Sequence, residues 1–197
     1  PYIGRKGIGK LALLSCADKI SVISKKLGRA YVGGVIDNSG LDEAIKKDLT
    51  PQKYKLEDVD LTVFGTKTGN HEQGTLIYFE SLNTGINKSS DYLKKIIALY
   101  FRFSLIDTSF NIFLDDEKIT TEHLNELGQN TQFLWKINTY DDPYIKEQLS
   151  NLKEQKTISV EGGFTGFIAS VEKPRNLKVI STEERVSIDL FTNGRLR

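Results

Sequence analysis

Three glycines fall within Gly4-Arg5-Lys6-Gly7-Ile8-Gly9-Lys10, and an apolar run from Leu11 to Ile20 follows at once. No other stretch of the chain is as informative. Glycine admits left-handed angles and lets N–H groups approach a ligand closely. A helix that begins just behind such a loop is a prepared anion site, usually for phosphate. The pattern predicts a loop whose Gly7 and Gly9 amides cradle phosphate oxygens, with Lys10 adding charge.

Gly4 through Lys10 matches the first part of G-x-x-x-x-G-K-[ST], but Leu11 stands where that motif needs a hydroxyl for magnesium. Three residues before Gly4 cannot supply the preceding buried strand either. A dinucleotide fingerprint has one glycine spacing wrong. The plain alternative is a tight turn into a helix, with Arg5, Lys6 and Lys10 solvated.

Periodicity gives the remaining elements. Helices are expected over Gly9–Lys19, Leu41–Leu49, Ser89 or Ser90 to about Phe103, and Asp141–Gln155. A polar helical stretch follows Thr120. Strands are expected over Ile20–Ser24, Ala30–Ile36, Asp60–Phe64, Gly74–Phe79, Gln132–Ile137, Thr157–Val160, Gly166–Val171 and Val186–Phe191. A hairpin turns at Asp115-Asp116, and Gly65–Gln73 reads as a polar loop. The order is not a regular βαβ alternation, so the class is α+β. Composition turns polar between about Thr120 and Gln155, which suggests domains at 1–119 and 120–197.

The bulk numbers exclude several classes. Net charge is +1, which singles out neither nucleic acid nor an anionic membrane but leaves room for a local basic patch. One cysteine, Cys16, excludes an internal disulfide and reads as a small core residue. With two histidines and that cysteine a zinc site is not expected. No apolar run spans a bilayer, so no membrane partner is expected and the default compartment is cytoplasmic. The chain has no methionine, so it is read as a piece of something longer or as a sequence with residues missing.

Gly4-x-x-Gly7-x-Gly9 followed by Lys10-Leu11-Ala12 resembles the lid motif of the GHKL ATPases, a superfamily that includes gyrase B, MutL, the ninety-kilodalton heat-shock chaperones, MORC proteins and histidine kinases. Gly74-Thr75 resembles that family's late adenine-side motif. "FNIFLDDEKI" resembles the strand pair closing its ATPase domain, and "GFTGFIASVEKPRNLK" and "VSIDLFTNGRLR" resemble the opening of its transducer domain.

The resemblance implies the C-terminal part of a Bergerat-type α/β sandwich, followed by the start of a mixed α/β transducer domain. It implies an ATP site drawing on Gly4, Gly7, Ile8, Gly9, Lys10, Leu11 and Thr75, the last reaching toward adenine. Mg2+ would be held by residues outside this chain, where the family's Glu base, its Asn and its D-x-G-x-G loop lie. Glu72 and Glu80 do not match that base and read as exposed charges. The implied protein is an ATP-gated conformational machine acting on DNA or protein clients, in some members as an ATP-dependent homodimer. Repair, restriction-type defence and chaperoning all use such relatives. The alternative function is a non-catalytic interaction module that keeps the fold without ATP turnover.

Overall fold

Apolar residues on both faces of Ala17–Lys25 make it the central strand, β1, of an antiparallel sheet. Ile20 and Ile23 point to opposite faces, and each is only 1% exposed, so both faces of the strand are covered. β2 (Val32–Asp37) pairs along one edge, with Ser24 opposite Val32 and Lys19 opposite Asp37. β3 (Gly74–Leu82) pairs along the other, with Lys25 opposite Gly74 and Ala17 opposite Leu82. The order is β2-β1-β3, which leaves β3 at the sheet edge among the described residues.

These elements belong to a computed structural model. It describes residues 13, 15–50, 53, 56–87, 89–102, 105, 107, 109–186 and 188, and the backbone at 191–192 and 195–196. The chain divides into two compact units, residues 1–86 and 87–197.

In the first unit α1 (Asn38–Lys46) follows β2 directly. Asp37 ends the strand and caps the helix, its Oδ1 accepting from the Ser39 and Gly40 amides at 2.7 and 3.2 Å. Those bonds hold the Asp37 carboxyl below the usual carboxylate range, the Ser39 hydroxyl contributing most. Gly33 sits where the β1 backbone passes so close that a Cβ would lie 2.0 Å from the Val22 carbonyl oxygen. A 3-10 helix over Leu61–Thr68, capped by Asp60, places Phe64 in the core.

The second unit gathers Ala98, Ile119, Leu124, Leu134, Tyr144, Ile145, Leu149 and Val179 into one cluster. Its elements are α2 (Ser90–Tyr100), the two-residue strands β4 (Phe113–Leu114) and β5 (Glu117–Lys118), α3 (Asn125–Gln129), β6 (Thr131–Ile137), α4 (Pro143–Gln148), β7 (Glu154–Ile158) and β8 (Gly166–Val171). β6 is central, parallel to β7 and antiparallel to β8. The parallel pair needs a crossover, and α4 lies within it. Leu134 turns into the core, while its neighbour Trp135 is 41% exposed and faces outward with Ile168 opposite. Near the C-terminus β9 (Phe191–Thr192) pairs with β10 (Arg195–Leu196).

The chain is α+β, as expected, but its small separate sheets give no support to a Bergerat-type sandwich. Residue 119, where composition places a boundary, lies inside the second unit, and Ile119 is part of its core. Ala17–Lys19, expected as the end of a helix, are strand because they pair with β2 and β3. The strand expected over Asp60–Phe64 is 3-10 helix. The helix expected over Asp141–Gln155 is confined to Pro143–Gln148. α2 starts at Ser90, yet the Ser89 side chain makes no cap bond; the Ser89 amide donates to the Asn87 side-chain Oδ1 at 2.9 Å. Cys16 is half-buried ahead of β1. Among the described residues no helix is long and apolar enough to cross a membrane.

Candidate nucleic-acid interface

Between Ser24 and Tyr31 the chain carries Lys25, Lys26 and Arg29 and no acid. This run is the connection from β1 to β2. It is tight because the Arg29 amide donates to the Lys26 carbonyl at 2.9 Å and Gly28 takes a left-handed φ of 68°. Leu27 sits at its tip, 68% exposed.

The segment leading into β3 lies alongside. Lys25 Nζ donates to the His71 carbonyl at 2.8 Å and sits 4.9 Å above the Tyr31 ring. A cation over a ring face is held by the ring quadrupole. The Tyr31 and His71 rings stack with centroids 5.7 Å apart and planes 6° apart. Tyr31 Oη lies 3.1 Å from His71 Nδ1 and 3.4 Å from the Thr68 carbonyl oxygen. A phenol has one proton, so it donates to one of these at a time, and the shorter contact is to the imidazole.

Lys25, Leu27, Arg29, Asn70, His71 and Glu72 line an open cleft of about 610 Å3. A second recess of about 560 Å3, lined by Lys26 and Val32 among others, again includes Lys25 and Arg29. Among the described residues neither Lys26 nor Arg29 takes part in an ion pair. Two cations that form no ion pair among the described residues, held on a fixed turn, can bind phosphate oxygens without first giving up such a partner.

Thr75 is the one nucleotide-site residue expected from the sequence that falls among the described residues. It lies at the same end of the sheet, opposite Ser24. Its hydroxyl donates to Ser24 Oγ at 3.2 Å, and Ser24 Oγ donates to the Gly74 carbonyl at 3.1 Å. Gly4, Gly7, Ile8, Gly9, Lys10 and Leu11 lie outside the described residues. Glu72 and Glu80 are exposed, as expected. No motif in the sequence marks Lys25, Arg29, Tyr31 or His71. The acid-free run from Ser24 to Tyr31 was the available signal, whereas His71 is 46 residues from Lys25 and only folding brings them together.

A second charged group lies inside the other unit and is built for stability. Arg102 Nη2 is 2.7 Å from Asp142 Oδ1, with side chains 13% and 1% exposed. The nitrogen finds no well-aimed hydrogen bond, so the contact is Coulombic rather than directional. Asp142 also caps α4 through the Tyr144 and Ile145 amides at 2.9 and 3.3 Å and accepts from Tyr140 Oη at 2.9 Å. Burial, then the Asp142 charge, pushes the Tyr140 phenol up to about 12. Burial does the same to Tyr144, also to about 12, against the opposing pull of Arg102.

The chain is similar to a protein described as a restriction enzyme. Over 181 residues, 89% of this chain, it is 25% identical to a protein of Herpetosiphon aurantiacus described as "Putative type II restriction enzyme HgiDII". It spans 28% of that relative's length. No family model and no solved structure matches the chain.

This similarity overturns the GHKL ATPase reading, and with it the ATP-binding, chaperone-like and repair-like roles drawn from that resemblance. Neither ATP nor an ATP-dependent homodimer finds support, and the alternative of a non-catalytic scaffold gains none. The glycine spacing misled because loop-to-helix glycines serve any tight turn as well as a phosphate cradle. A Gly-Thr pair opening a strand is equally unspecific, and here the threonine hydroxyl is used within the sheet.

Proposed function

We propose that this chain is a DNA-contacting segment of a restriction-type, DNA-cleaving protein. In this reading the turn from β1 to β2 grips the phosphate backbone through Lys26 and Arg29, on a base held rigid by Lys25, Tyr31 and His71. The observation that carries it is the acid-free cationic turn in a chain that is similar along most of its length to a restriction protein. Phosphate contacts supply affinity and register irrespective of sequence.

Cleavage by such proteins draws on Mg2+, which stabilises charge on phosphoryl oxygens. Among the described residues no group of three or more His, Cys, Asp or Glu side chains could hold a metal ion. These residues do not fit a metal centre, so the proposal gives them backbone contact and no step of bond breaking.

The test is fluorescence anisotropy of a labelled duplex of about 30 bp titrated with the whole chain between about 50 and 200 mM salt. Binding should weaken steeply with salt. Lys26→Gln and Arg29→Gln should each lower the slope of log affinity against log salt by about 1. Absence of binding at the lowest salt, or slopes unchanged in both variants, overturns the proposal.

A further inference from the structure

The same turn carries an apolar residue that backbone gripping does not use. Leu27 is 68% exposed, and Val32, at the start of β2, is 70% exposed. The space around the tip is open: a Cβ at Gly28 would meet nothing within 4 Å. Leu27 is flanked by Lys26 on one side and Arg29 two residues on, and the reverse turn closed by the Lys26–Arg29 hydrogen bond fixes all three at one end of the sheet. The strands behind it are braced by Ser24, Thr75, Lys25 and His71, so the tip is presented on a stiff support.

Resting on the reading of this chain as a DNA-contacting segment, we propose that Leu27 is a wedge that enters a groove of duplex DNA and partly unstacks a base step. Lys26 and Arg29 hold the phosphates on either side. An apolar side chain pushed between base pairs leaves water, and the kink it makes brings more backbone within reach of flanking cations. The occupant is DNA rather than protein because the residues framing Leu27 are cations that form no ion pair among the described residues, which suit a polyanion. Leu27, Lys26 and Arg29 share one turn, so insertion of the first delivers the other two to the backbone.

The experiment uses the whole chain and a duplex of about 30 bp with 2-aminopurine at central A·T steps and a donor–acceptor pair at its ends. Binding of the wild type should raise 2-aminopurine emission and shorten the end-to-end distance. Leu27→Ser should lose both signals and bind roughly tenfold more weakly with an unchanged salt slope, while Leu27→Met keeps them. Because the side chain is mostly exposed, the variant should give the wild-type circular dichroism spectrum. Wild-type binding with neither signal, or Leu27→Ser retaining both, overturns the wedge and leaves the backbone contact standing. A wild type that binds no duplex overturns both. If Leu27→Ser instead dissociates a self-associated form, the tip is a protein contact and the wedge is wrong.

Discussion

Arg102 and Asp142 show how much one buried pair carries. Asp142 serves four groups at once: the guanidinium, two amides at the start of α4 and the Tyr140 hydroxyl. Arg102 is also flanked by rings, its guanidinium carbon 5.2 Å from the centre of Tyr144 and 5.3 Å from that of Phe167. Removing one charge strands the other in a region of low polarity, and the cost of that exceeds the net worth of the intact pair. Arg102→Met should therefore cost about 3–5 kcal/mol, read as a lower urea midpoint. Arg102→Met combined with Asp142→Asn should recover part of that loss. If the double variant is as unstable as the sum of the singles, the two side chains do not act as a pair.

Among the elements, short runs rich in β-branched and aromatic residues were legible in the sequence. Ile20–Ser24, Gly74–Phe79 and Gly166–Val171 lie in β1, β3 and β8, and Asp115-Asp116 is the turn between β4 and β5. The start of α4 was legible too, since Asp142-Pro143 is a strong helix-start signal, but its end was not. Helical pattern runs on to Gln155, while pairing of Glu154–Ile158 alongside β6 takes those residues into strand. Ala17–Lys19 went the same way, because strand partners on both sides outweigh local preference. The candidate site was half legible: Lys25, Lys26 and Arg29 are sequence neighbours, whereas the Tyr31–His71 stack spans 40 residues. One glycine tests the sheet that presents the turn. At Gly33 an added Cβ would meet the Val22 oxygen at 2.0 Å and the Ile23 Cα at 2.8 Å, both backbone atoms that cannot swing aside. Gly33→Ala should cost on the order of 1–3 kcal/mol and weaken DNA binding along with the sheet, measured by circular dichroism in urea and by anisotropy.

At the scale of the whole chain, the two units carry unequal cores. Among the described residues the first buries Ala17, Ile20, Ile23, Val35, Ala44 and Phe64, while the second adds Leu134, Leu149, Tyr144 and others to a larger cluster. The single tryptophan, Trp135, reports on the second unit alone. Unfolding followed by far-ultraviolet circular dichroism should begin at lower urea than the change in Trp135 emission; coincident curves would mean that the units unfold as one. The edge position of β3 has a consequence of another kind. Ile77 and Tyr78 are 43% and 39% exposed, and Thr75–Phe79 contains neither charge nor proline. Such an edge offers its ladder groups and side chains to any extended chain that drifts past, including its own copies. Glu80, directly after this stretch, sets a polar side chain at the edge and acts as a gatekeeper against stacking, so the behaviour of the protein in concentrated stocks depends on that one position.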